Sequence, residues 1–190
     1  MMKQVLLIGD SIRMGYCETV RNLLSEKAEV LYPSDNCRSS TFIRSSLYAW
    51  APLCDADRTA VVHFGCGQWD AAHFDYDPEP LVSIEEYARN LRSIVMHLRE
   101  FFPHAKLIFA TTTPMNPVNC ETRNPRTTED IRRYNEIATA VMKELKVEID
   151  DLFAAALPWG SEAYVDYAHF TPEYFGKLGE LVAGCIEKYV

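Results

Sequence analysis

Five short apolar runs, alternating with stretches of helical spacing, constrain this chain more than any other feature. Residues 3–9, 28–32, 59–64, 105–110 and 147–150 read as strands. The first is unbroken through Val5-Leu6-Leu7-Ile8, the pattern of a parallel strand covered on both faces. Between the strands, residues 15–26 and 128–145 carry apolar side chains at helical intervals, as does a segment with Phe42, Ile43, Leu47 and Trp50. Ser83-Ile84-Glu85-Glu86 fits a capping box ahead of Ile84, Tyr87, Leu91, Ile94, Leu98 and Phe101, and Pro103 stops that helix. Thr171-Pro172 opens the final helix, threonine as cap, with Phe175, Leu178, Val182 and Cys185 on the face expected to be buried. Residues 151–169 read as loop. This alternation predicts an α/β fold: a three-layer α/β/α sandwich on a five-stranded parallel sheet, flavodoxin-like, with residues 1–190 as a single domain.

In such a sheet, ligands sit beyond the carboxyl ends of the strands. Ser11, the Gly65–Asp70 turn, the long loop Thr111–Arg126 and the loop Asp166–His169 are all expected on that edge. The Thr111 loop holds three prolines and three asparagines and is too long for a simple connection, which marks it as a functional candidate. Loops 70–82, 111–127 and 151–165 would shape the pocket.

Charge and composition exclude several classes of function. A net charge of −8, with Lys and Arg scattered, argues against a nucleic-acid partner and against an anionic lipid surface. No apolar run approaches the roughly 18–20 residues that span a bilayer, so no membrane partner is expected. No signal peptide is visible after Met1, and the expected location is cytoplasmic. Cysteines 17, 37, 54, 66, 120 and 185 show no metal-ligand spacing and read as free thiols. His63, His73, His97 and His104 lack ligand spacing too. Asp75, Asp77 and Glu79 are read as a solvated acidic loop rather than a calcium site. Gly9 to Gly15 lacks the ending of a phosphate loop. No metal and no cofactor is expected.

The chemistry-bearing residues lie at the two ends of the chain. Gly9-Asp10-Ser11 follows the first strand, and Asp166-Tyr167-Ala168-His169 precedes the last helix. A serine hydroxyl needs a base within hydrogen-bond reach to attack a carbonyl, and a carboxylate can fix the tautomer of that base. In these two motifs, and in strand and helix order across essentially the whole chain, the sequence resembles the SGNH/GDSL hydrolase family. The resemblance implies Ser11 as nucleophile, His169 as base and Asp166 as the residue that orients it. It also implies an oxyanion hole built from the serine amide, a second-block glycine and a third-block asparagine.

Here the sequence departs from the family. The third block reads Gly67-Gln68-Trp69-Asp70 or, in another alignment, His63-Phe64-Gly65-Cys66-Gly67-Gln68-Trp69-Asp70, with Trp69 or Gly65 where asparagine stands. The second-block glycine is replaced within Asn36-Cys37-Arg38-Ser39. Backbone amides at Gly65 to Gly67, with the Asn36 side chain, are the expected substitutes, and Asn36→Ala should then lower turnover far more than substrate affinity. Arg38 reads either as a surface residue or as a group that recognises a carboxylate or hydroxyl on the substrate. Trp69 packs or stacks on a sugar or aryl group. Asp70 would order the loops through backbone amides, and Asp10 joins the site beside the serine. The expected function is a serine esterase acting on small esters (acetylated carbohydrates, aryl esters or short lipids). The alternative is a binding module that kept the fold and lost efficient oxyanion stabilisation. Transfer of the acyl group to an acceptor other than water would use the same residues. The sequence leaves the oligomeric state open.

Overall fold

The computed structural model describes residues 1–74, 76–118 and 121–190. Strands β1 (Lys3–Ile8), β2 (Ala28–Leu31), β3 (Thr59–Phe64), β6 (Lys106–Ala110) and β7 (Glu148–Asp150) form one parallel sheet in the order β2-β1-β3-β6-β7. β4 (His73–Phe74) and β5 (Asp77–Pro80) form a small antiparallel hairpin within the stretch expected to be loop. Asp77 and Glu79 belong to this hairpin, and Asp75 lies outside the described residues, as does Cys120. Cys17, Cys37, Cys54, Cys66 and Cys185 are free thiols. Among the described residues no helix is long and apolar enough to cross a membrane, and no cluster of His, Cys, Asp or Glu is arranged to hold a metal ion.

The period-two alternation within β1 sends its side chains to two separate cores. Leu6 and Ile8 join Val62, Phe64, Leu107 and Phe109 beneath α2 (Ser40–Trp50), α3 (Ile84–Phe101) and α4 (Thr128–Glu144). Val5 and Leu7 join Val61 and Ile108 beneath α1 (Ser11–Leu23) and α6 (Pro172–Glu187). Tyr87, Leu91, Ile94 and Leu98 are fully buried, as the helical spacing requires, while Ile84 and Phe101 pack at the margin. On α6, Leu178, Val182 and Ile186 are buried, whereas Phe175 and Cys185 are only partly covered.

Local details depart from expectation where capping or short range decides. Helix α1 begins at Ser11 rather than near residue 15, because Asp10 caps it by accepting from the Ile12 amide at 2.9 Å. Ser83 caps α3 through the Glu86 amide, without the reciprocal half of a capping box. The complete box lies at α4 instead, where the Thr127 hydroxyl accepts from the Asp130 amide and the Asp130 carboxylate accepts from the Thr127 amide. Thr171 occupies the cap position of α6, but its side chain makes no capping bond there. A short helix, α5 (Leu152–Ala156), follows β7 directly, within the segment expected to be loop.

The sheet order reverses direction between β1 and β3, and that reversal opens a crevice at their carboxyl ends. Ser11 follows β1, the Gly65–Asp70 turn follows β3, the Thr111 loop follows β6, and Asp151 follows β7. α1 and α6 pack closely against each other. A Cβ added at Gly15 would lie 2.2–2.4 Å from the Phe175 ring, and one at Gly179 would lie 2.6 Å from Thr19 Cβ. Only glycine admits that approach.

Candidate active site

Ser11 is the first residue of α1, so its backbone N–H is one of the helix's orphan donors and lies at the positive end of the helix dipole. Its hydroxyl is 2.8 Å from His169 Nε2. His169 Nδ1 is 2.7 Å from Asp166 Oδ2, and Asp166 Oδ1 accepts from the amides of Ala168 (2.8 Å) and His169 (2.7 Å). Desolvation alone would raise the Asp166 carboxyl. The two amides and the imidazole outweigh it and hold the group below its ordinary value. The carboxylate therefore stays charged and can keep the Nδ1 proton on the histidine, leaving Nε2 to accept from Ser11.

The long Thr111 loop fastens the acid–histidine turn. Asn116 donates from its backbone to Tyr167 O and from Nδ2 to Asp166 O, at 3.0 and 2.9 Å. The hydroxyl of Tyr167 donates to Asn124 Oδ1, and that of Tyr164 donates to Pro114 O. Outside this turn, a bridge between Tyr164 and Phe170 closes the loop just before α6.

The second-block region is rebuilt around Asn36 and Arg38. Arg38 takes a left-handed φ of 49°, with its amide donating to Asn36 Oδ1 at 2.9 Å. Asn36 is half-buried, and its Nδ2 makes no hydrogen bond among the described residues. The guanidinium of Arg38 lies over the Phe42 ring on the surface. Beneath this loop, buried Arg13 donates to Gly9 O and to Asp35 O, tying it to the end of β1.

The third-block turn is buried and heavily bonded. Gly65 corrects one expectation: its amide donates to Ile8 O at 3.0 Å, extending the β1–β3 ladder, and so is not free for a substrate oxygen. Gly67 sits at φ 149° with Thr112 Oγ1 so close that any Cβ would collide with it. Gln68 is buried, its Nε2 donating to Thr113 O at 2.9 Å. Trp69 is half-buried. Asp70 binds the Ser40 amide with both carboxylate oxygens and also accepts from the Ser40 hydroxyl, so it joins this turn to the start of α2. Burial pushes the Asp70 carboxyl up to about 7 against these bonds. Burial likewise raises Asp10, opposed by the Ile12 amide and then by the charge of Arg126. A cavity of about 30 Å³, lined by Gly9, Asp10, Gly65, Cys66, Gln68 and Thr113 among others, lies under this end of the sheet.

Sequence reasoning missed two residues here, Gln68 and Arg126. Arg126 closes the Thr111 loop, which stood out by length alone, and no local pattern singles out its last residue.

No family model matches the chain. The rice (Oryza sativa subsp. japonica) protein named GDSL esterase/lipase WDL1 is 28% identical over 123 residues, covering 60% of this chain and 47% of its own. The bovine (Bos taurus) isoamyl acetate-hydrolyzing esterase 1 homolog is 31% identical over 122 residues, 59% of this chain and 48% of its own. The chain thus spans about half the length of these curated relatives. Among solved structures, the acetyl xylan esterase AlAXEase superposes with a TM-score of 0.76 at 14% identity, covering 96% of this chain and 99% of that one. In sequence the chain is similar to proteins named GDSL esterase/lipase and isoamyl acetate-hydrolyzing esterase, and in fold it is similar to a solved acetyl xylan esterase.

Proposed function

We propose that the chain is a serine esterase that cleaves small esters by acyl transfer. One observation carries the reading: the unbroken line from Ser11 Oγ through His169 to Asp166 Oδ2, with links of 2.8 and 2.7 Å. Ser11 Oγ adds to the ester carbonyl carbon while its proton passes to His169 Nε2. The resulting tetrahedral oxyanion collapses, the C–O bond to the alcohol breaks, and His169 returns the proton to the departing oxygen. Water then adds to the acyl-serine by the same route, and the acid leaves with Ser11 restored.

Donors to the oxyanion are the Ser11 amide, at the positive end of α1, and Asn36 Nδ2 in place of the second-block glycine. Acetyl esters are the first substrates to try, because relatives and neighbours are named for isoamyl acetate and acetyl xylan. The test is intact-mass analysis after treatment with a fluorophosphonate, with Ser11→Ala as control. One adduct per chain at Ser11, absent from the alanine variant, is expected. Folded protein that takes up no label would overturn the esterase in favour of a binding module.

A further inference from the structure

Arg126 is a half-buried cation that the structure holds by neutral groups alone. Its Nε donates to Gln68 Oε1 at 2.9 Å and its Nη1 to Asn124 O at 3.0 Å, and its guanidinium lies 5.2 Å from the Tyr167 ring centroid. None of the ion pairs among the described residues includes it, and its Nη2 makes no hydrogen bond among them. A cation withdrawn from water with no anion in direct contact is costly, Asp10 and Asp166 acting on it only through space, and such an arrangement suits a site where negative charge arrives during function.

Its position fits that charge. Gln68 lines the same strand-end cavity as Gly9 and Asp10, one residue from the nucleophile. Tyr167 lies between Asp166 and His169 in the chain, its ring edge-on to the imidazole at 6.2 Å. Arg126 is thus braced between the third-block turn and the acid–histidine turn. The charge of Arg126 also acts on the Asp10 carboxyl more strongly than that of Arg13 or His169 does. Gln68 is fixed at both ends, donating to Thr113 O and accepting from Arg126, so it aims the guanidinium rather than reaching the substrate itself.

We infer that Arg126, aimed by Gln68, donates to the acyl oxygen as it becomes negative, in the place where the family uses an asparagine side chain. This assignment rests on the esterase reading above. A preorganised donor in a partly dry site is worth most where charge develops, so its loss belongs in turnover rather than in binding.

The experiment compares wild type with Arg126→Ala on a neutral ester, p-nitrophenyl acetate, and on an ester carrying a carboxylate, a succinate half-ester. For the neutral ester, kcat is expected to fall roughly 100- to 1,000-fold, with KM changed by less than about threefold. Labelling by a neutral fluorophosphonate should slow in parallel, and millimolar guanidinium ion should restore part of the lost rate. Arg126→Lys, which keeps the charge without the fork, repeats the comparison if the alanine variant does not fold. Turnover of the neutral ester within about threefold of wild type would overturn the assignment. So would a loss confined to KM for the anionic ester, which would make Arg126 a substrate-recognition residue. A loss that guanidinium does not rescue, accompanied by a lower Tm, would make it structural. Active wild type with active Arg126→Ala removes only this assignment, whereas inactive, unlabelled wild type removes the esterase reading and this one with it.

Discussion

At Asp166 one carboxylate shapes its own turn with Oδ1 and orients the imidazole with Oδ2. Replacing it by asparagine leaves the first task possible and reverses the second, because an amide Nδ2 facing His169 favours the wrong tautomer. Asp166→Asn should therefore keep the fold and lower kcat by about four orders of magnitude, checked by steady-state kinetics beside circular dichroism. An undiminished kcat would remove Asp166 from the relay. The serine, acid and histidine were legible in the sequence because each sits in a short motif at an element boundary. Arg126 and Gln68 were not legible, because their meeting joins a β3 turn to the end of a long loop, 58 positions apart. Arg38 held in the left-handed region by Asn36 was equally hidden, since residue type at that position gives no sign of a positive φ.

Among elements, the pair α1 and α6 matters most for the site, since α1 starts at Ser11 and α6 starts three residues after His169. Gly15 is one of the places where α6 packs closely on α1. Gly15→Ala would gain about 1 kcal/mol of helix propensity in isolation, but its Cβ would overlap the Phe175 ring. Overpacking of this kind costs about 1–3 kcal/mol, so a lower urea midpoint is expected together with reduced turnover. A midpoint at or above that of wild type would show that Phe175 gives way freely. On the other side of the sheet, Thr127→Ala removes one half of the α4 capping box and should cost about 1 kcal/mol, read from the same denaturation. Strands were legible as short continuous apolar runs, and long helices because a period of about 3.6 persists over many residues. The five-residue α5 and the β4–β5 hairpin are too short to show a period, and the range of capping hydrogen bonds decided which box was real.

For the whole molecule, buried Asp70 couples stability to pH. Its carboxyl is raised to about 7 in the folded protein, above the ordinary value it regains on unfolding. Between those values the folded state holds a proton that the unfolded chain has released. The stability that this group contributes is therefore full at low pH and is lost as pH rises through about 7. The Tm of wild type should fall relative to Asp70→Asn between pH 5 and pH 8. A difference independent of pH would show that Asp70 is ionised throughout. The same residue links α2 to the third-block turn through Ser40.

The hydrogen bond from Ser11 to His169 spans 158 positions of sequence. At about 5–20 residues per second of synthesis, the serine emerges roughly 8–30 s before its base exists. Throughout that interval the Ser11 hydroxyl lacks its His169 partner, and on the esterase reading such a chain would be inert toward esters. On that reading, competence requires the segment that leads into the last helix to be in place beside the start of the first. Reactivity of Ser11, on the same reading, reports that two segments 158 positions apart have met.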